Sequence, residues 1–255
     1  MNRILFERDE ISDGVATFGG VRAEHVLKVL HGEVGQVLKT GEVDGPVGTG
    51  EITSIDGGMV TVRLAHDTPS LEPWADLVLA PPRPRVMKRL LPQLAAMGVG
   101  RIVLVGAKKV EKDFWGATLL KEEVYRPLLL DGLMQAGTSA MPTLSTERNF
   151  RKWLREGLDV QFPAGRRVVA HPYGAAGRLA PADSSGRLLL AVGPEGGWTD
   201  EEVALLEERG FERYSLGPRI LRTDTAVVAL LATLQAAFDQ TARCPAPSHG
   251  PEIMI

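Results

Sequence analysis

Over its first third the chain alternates short apolar and polar steps. Residues 3–7, 36–39, 50–55 and 59–65 carry the two-residue period of half-buried strands. The last two are joined by Asp56-Gly57-Gly58, a sequence that favours a tight hairpin. One helical stretch, residues 23–30, interrupts them with Val26, Leu27 and Leu30 on one face. The pattern predicts a small β-barrel module over residues 1–70. Residues 68–73, framed by Pro69 and Pro73, read as the linker that follows.

A different rhythm starts at Trp74. Apolar strands at 75–80, 101–105, 167–170 and 188–192 alternate with helical runs at 86–97 and 119–136, which predicts an α/β domain built on a parallel sheet. The strand at 188–192 runs into Gly193-Pro194-Glu195-Gly196-Gly197, and a short strand within 211–216 runs into Gly217-Pro218. Between them, Thr199 and Glu202 have the spacing of a capping box for a helix at 200–209, which Gly210 ends. Thr223 or Asp224 caps a last helix, whose Val227, Leu230, Leu231, Leu234 and Phe238 recur at helical spacing. Each loop taken singly reads as an ordinary turn. Two of them, flanking one short helix at the carboxyl ends of parallel strands, form a candidate ligand site, because backbone N–H groups converge there.

Composition narrows the function classes. With 255 residues, 44% hydrophobic and 24% charged, the chain has material for two cores, and its net charge of −3 excludes a binder that is basic overall. RNA contact therefore has to be local. Arg83, Arg85, Lys88, Arg89, Arg101, Lys108, Lys109 and Lys112 supply such a cluster, for which phosphate is the natural partner and a solvated helix face the bland alternative. The single cysteine, Cys244, excludes an internal disulfide, and the first ten residues are acidic where a signal peptide is apolar, so a cytoplasmic location is expected. No membrane span is expected, since the apolar run at 226–238 is too short. His25, His31, His171 and Cys244 lack metal-ligand spacing, and no metal is expected. Neither a P-loop nor a strand-linked Gly-x-Gly-x-x-Gly occurs.

The two glycine loops also carry a resemblance. Gly193-Pro194-Glu195-Gly196-Gly197-Trp198, followed by Leu216-Gly217-Pro218-Arg219-Ile220-Leu221-Arg222-Thr223-Asp224-Thr225-Ala226, is similar to the paired signature of the RsmE-type ribosomal RNA methyltransferases. That family methylates N3 of a uridine in small-subunit (16S) rRNA and belongs to the SPOUT superfamily of S-adenosylmethionine enzymes. The resemblance implies an α/β fold with a SPOUT-type parallel sheet in a methyltransferase domain over residues 71–243, with a C-terminal trefoil knot near 188–240. It further implies a PUA-like β-barrel over 1–70, and residues 244–255 remain as a tail. A homodimer is also implied, and a terminal helix at 226–238 that is apolar nearly all round suits a subunit interface.

Ala170-His171-Pro172 matches the family's strand-end His-Pro and adds a third loop. By this resemblance the cofactor, S-adenosyl-L-methionine, is expected on Ala170, His171, Val192, Gly193, Pro194, Gly196, Gly197, Leu216, Gly217, Ile220 and Leu221. Uracil N3 carries a proton, so Arg222 is the candidate for stabilising negative charge on the ring, and Glu195 either accepts the proton or orients its neighbours. Expected contacts to ribosomal RNA, free or in the small subunit, are Arg3, His25, Lys28, Arg83, Arg85, Lys88 and Arg89. The chain departs from the family at Lys28 and His31, where relatives usually carry arginines, at Ala96 in place of a glutamate, and around Met134. Those departures leave a second reading: a SPOUT-fold RNA-binding protein with altered catalysis, or a methyltransferase with another RNA target.

Overall fold

A computed structural model describes residues 2–173 and 186–239. The N-terminal part contains β1 (Ile4–Phe6), β2 (Ile11–Ser12), β3 (Val15–Phe18), α1 (Gly20–Glu24), β4 (Val37–Glu42), β5 (Val47–Asp56) and β6 (Met59–Thr68). Its strands form one half-barrel sheet in the order β1-β4-β5-β6-β3-β2, antiparallel except where β1 joins β4. The expected hairpin is present: Asp56 pairs with Met59 across Gly57 and Gly58, whose φ values of 55° and 82° suit the turn that strand twist demands. Phe6 and Phe18 meet edge to face at 5.4 Å over Ile52, Val60 and Val62 in the module's core.

Strands β2 and β3 were not expected, and two other elements differ in extent. The helix begins earlier, at Gly20, and after Glu24 it widens into a π turn, His25–Val29, in which the Leu30 N–H reaches the His25 carbonyl. Strand β5 also starts earlier, because Gly48 and Gly50 interrupt the apolar alternation without interrupting the strand. A Cβ on Gly48 would lie 2.0 Å from the Ala65 carbonyl oxygen, so a bare backbone is what allows the pairing there.

The larger part contains β7 (Ala75–Leu79), α2 (Pro84–Ala96), β8 (Val99–Val105), α3 (Glu122–Ala136), β9 (Thr143–Glu147), α4 (Phe150–Glu156), α5 (Leu158–Gln161), β10 (Arg167–Ala170), β11 (Leu188–Val192), α6 (Asp200–Glu208), β12 (Glu212–Tyr214) and α7 (Thr223–Asp239). Its sheet runs β12-β10-β11-β7-β8-β9, parallel throughout. Alternate side chains leave the sheet on opposite faces. Leu188, Leu190 and Val192 join the core under α2, α3 and α7, whereas Leu189 and Ala191 join the core under α4, α5 and α6. Strand β9 escapes the hydrophobic pattern because it is a polar, largely exposed edge that only its pairing with β8 defines. At the amino end of the sheet, buried Asp76 binds Arg101 at 2.6 Å and Arg187 at 3.5 Å.

The two sheets are joined through side chains distant in sequence. Arg3 donates from Nε to the Gly137 carbonyl at 2.9 Å, and from Nη1 to the carbonyls of Thr40 at 2.6 Å and Gly48 at 3.0 Å. Arg126 pairs with Glu7 at 2.9 Å, and Ser139 Oγ donates to the Gly45 carbonyl at 2.6 Å. Leu5 and Val43 of the half-barrel are buried in the larger core.

Candidate functional site

Strands β12, β10 and β11 are neighbours and run the same way, so their carboxyl ends lie at one edge of the sheet. The segments that follow them, 171–173, 193–198 and 215–221, face one another around a crevice of about 410 Å³. Its lining includes Ala170, His171, Val192, Gly193, Pro194, Gly196, Gly197, Leu216, Gly217, Ile220 and Leu221, together with Glu195. Residues gathered from three separate stretches of sequence thus share one concavity.

Local chemistry explains the loop shapes. The Gly197 N–H donates to the Pro194 carbonyl at 2.8 Å, closing a tight turn in which Gly197 adopts φ 67°. A Cβ on Gly193 would lie 2.8 Å from the Trp198 nitrogen, so glycine lets the loop fold back on itself. Trp198 is buried and stacks on Phe150 at 5.2 Å, while its Nε1 has no partner among the described residues. Ser215 ties two loops together: its Oγ donates to the Pro172 carbonyl at 3.2 Å and accepts from the Gly217 N–H at 3.1 Å. The capping box forms as expected, with Thr199 Oγ1 accepting from the Glu202 N–H at 3.3 Å and Glu202 Oε2 accepting from the Thr199 N–H at 2.8 Å.

Three large apolar side chains remain uncovered here: Leu216 is 37% exposed, Ile220 69% and Leu221 39%. Exposed leucine and isoleucine beside convergent backbone groups are the lining a partly apolar small molecule needs, and the volume lies within the usual range for ligand pockets. Lys109 also lines the crevice, from the turn after β8, and its Nζ donates to the Gly196 carbonyl at 2.7 Å. By sequence it belonged only to a basic cluster; its position after another strand of the same sheet was the available signal.

Arg222 lies between two lining residues, Leu221 and Thr223, but is not itself part of the lining. It is exposed and forms no ion pair among the described residues. Both acids that could have held it are otherwise engaged. Glu195 Oε1 accepts from the Arg83 backbone N–H at 3.2 Å. Asp224 binds Arg89 at 3.1 Å, and that hydrogen bond holds its carboxyl below the ordinary aspartate range.

The candidate RNA contacts separate into groups. Arg83, Arg85, Lys88 and Arg89 lie exposed along α2, beside the crevice through the Arg83–Glu195 and Arg89–Asp224 contacts. Arg83 also binds Glu111 at 2.9 Å, which raises its guanidinium pKa, whereas Arg85 and Lys88 form no ion pair among the described residues. On the half-barrel, Lys28 is exposed and lies 3.5 Å from Glu24, while His25 is half-buried with Nε2 unpartnered. Arg3 stands apart from this set, because three carbonyl oxygens between the two sheets take its Nε and Nη1 hydrogens. Among the described residues no group of three or more His, Cys, Asp or Glu is placed to hold a metal, and no helix is long and apolar enough to cross a membrane. Cys244 and the 244–255 tail lie outside the described residues.

Comparison with known proteins places this architecture. The RNA methyltransferase domain family matches residues 70–235. The ribosomal RNA small subunit methyltransferase E of Treponema pallidum is 29% identical over 243 residues, covering 92% of this chain and 91% of that protein. A methyltransferase of Legionella pneumophila, solved with its cofactor SAM, superposes with a TM-score of 0.74 at 26% identity over 92% of this chain and 97% of its own. The small subunit methyltransferase E of Neisseria gonorrhoeae, at 23% identity, shares the fold with a TM-score of 0.75 over 92% of this chain and 97% of its own. With more than half of its length matched and its loops drawn into one crevice, the chain belongs to the RNA methyltransferase domain family and is of the RsmE type.

Proposed function

We propose that this protein transfers a methyl group from S-adenosyl-L-methionine to N3 of a uridine in small-subunit ribosomal RNA. The observation that carries the reading is the crevice itself, where three strand-end loops present backbone donors and acceptors beside exposed Leu216, Ile220 and Leu221. The relatives add support: one is named as a small-subunit rRNA methyltransferase, and one was solved with the methyl donor bound.

In this reading the backbone of residues 192–197 and 216–221 hydrogen-bonds the adenosine part, and Ile220 and Leu221 give it apolar walls. S-adenosylmethionine, when bound, supplies a methyl group on a sulfonium sulfur and is already activated. The chain's tasks are then to hold the uracil in line, exclude water and manage the N3 proton. Arg222 stabilises the negative charge that develops on the ring, since no carboxylate among the described residues neutralises it. Glu195 is held through Oε1 by the Arg83 N–H, which leaves Oε2 to accept the proton or to orient the base. Arg83, Arg85, Lys88 and Arg89 give the phosphate backbone a basic track leading to the crevice.

The wider architecture follows the same proposal: a PUA-like module over 1–70, a methyltransferase domain over 71–243 knotted near 188–240, and a cytoplasmic homodimer. The altered positions Lys28, His31, Ala96 and Met134 are all absent from the crevice lining; Met134 is buried in the larger core, and exposed Lys28, His31 and Ala96 bear on the choice of RNA more than on the methyl donor. Calorimetry with S-adenosylmethionine should show one site per chain, and mass mapping of small-subunit rRNA from a deletion strain should show one methylated uridine lost. No heat of binding together with unchanged rRNA would overturn the proposal.

A further inference from the structure

We infer that Lys109 is a positioning residue of the methyl-transfer site, fixing the Gly196–Gly197 peptide in the shape that receives the methyl donor. The inference rests on the crevice being the S-adenosylmethionine site. A peptide flanked by two glycines rotates easily, since no Cβ restrains it on either side. Here both of its ends are held: the Gly197 N–H by the Pro194 carbonyl at 2.8 Å, and the Gly196 carbonyl by Lys109 Nζ at 2.7 Å. The lysine stem lies against the loop: a Cβ on Gly196 would be 2.9 Å from Lys109 Cδ.

Lys109 comes from the turn after β8, outside the three loops that form the crevice, and that turn is itself anchored. The Lys108 N–H donates to Glu202 Oε1 at 2.7 Å, while Oε2 of the same buried carboxylate accepts from the Thr199 N–H at 2.8 Å. One side chain thus sets the distance between the base of Lys109 and the end of the glycine loop. Without the ammonium, the Gly196–Gly197 peptide keeps only one of its two restraints and the loop loses part of its preorganisation.

The test uses the full chain with Lys109→Met, which keeps the stem and removes the donor, and Lys109→Arg, which restores one. Calorimetry should show S-adenosylmethionine bound about tenfold more weakly by Lys109→Met, as expected for losing a charge-assisted hydrogen bond. In turnover, KM for the methyl donor should rise by more than kcat falls, and Lys109→Arg should recover most of the affinity. The thermal midpoint should stay at the parent value, because the lysine head is exposed. Parent-like affinity in Lys109→Met overturns the inference. So does a loss that tracks a lower thermal midpoint and is not relieved by arginine. If the parent chain binds no S-adenosylmethionine, the assignment of the crevice falls and this role falls with it.

Discussion

Arg222 shows how a side chain becomes available for chemistry. A loop arginine two residues before an aspartate would ordinarily pair with it, yet Asp224 is taken by Arg89 and Glu195 is tied to the backbone of Arg83. Among the described residues the guanidinium is left without an ion pair, between two residues that line the crevice. Replacing Arg222 with alanine should reduce methyl transfer at least about a hundredfold, the usual loss for removing one preorganised donor, while S-adenosylmethionine still binds. Single-turnover rates and calorimetry on the same sample check this, and near-parent turnover would remove Arg222 from the mechanism. The two glycine loops of the crevice were legible in the linear chain because glycine, proline and strand-end position are local signals, whereas the individual cofactor contacts were expected from the resemblance. Lys109 was not, since its contact with Gly196 spans 87 positions and no local pattern marks it.

At the scale of elements, α7 carries the clearest consequence. Its Val227, Leu230, Leu231 and Leu234 are buried within the chain, while Ala232, Ala236 and Ala237 lie exposed along the helix. A surface helix normally carries charge on its outer side, and small apolar residues there allow close approach of another backbone. We predict that the parent chain is a dimer by light scattering, and that Ala236→Glu, which places a charge in the contact, yields a monomer. A monomeric parent at micromolar concentration would sink the idea. The buried side of α7 was readable from helical spacing. Strand β9 and helix α4 were missed for opposite reasons. The first is a polar edge without period; the second, only seven residues long, buries Phe150, Trp153 and Leu154 in a pattern too brief to stand out.

The whole molecule is two sheets held as one body by a few long-range contacts, among which Arg3 is central. Its guanidinium reaches Gly137 of the larger part and Thr40 and Gly48 of the half-barrel, and burial lowers its pKa. Arg3→Ala strands three carbonyl oxygens and should cost about 2 kcal/mol, the order expected for hydrogen bonds from a charged donor. Chemical denaturation checks this, and a parent-like midpoint would show that water replaces the guanidinium without loss.

Periodicity and turn residues were enough to specify most of the strands and the longer helices, the capping box and the glycine loops, because each depends on neighbours a few positions away. They also sufficed to place the loops at strand ends, and so to nominate a ligand site. Strand order was beyond them: the adjacency of β12, β10 and β11, which brings 171–173, 193–198 and 215–221 around one crevice, depends on which hydrophobic faces pack together across the fold. The same holds for the assignment of charges. Arg3, Arg89 and Lys109 read alike as basic residues, and only long-range packing sends one between the sheets, one to Asp224 and one to the glycine loop.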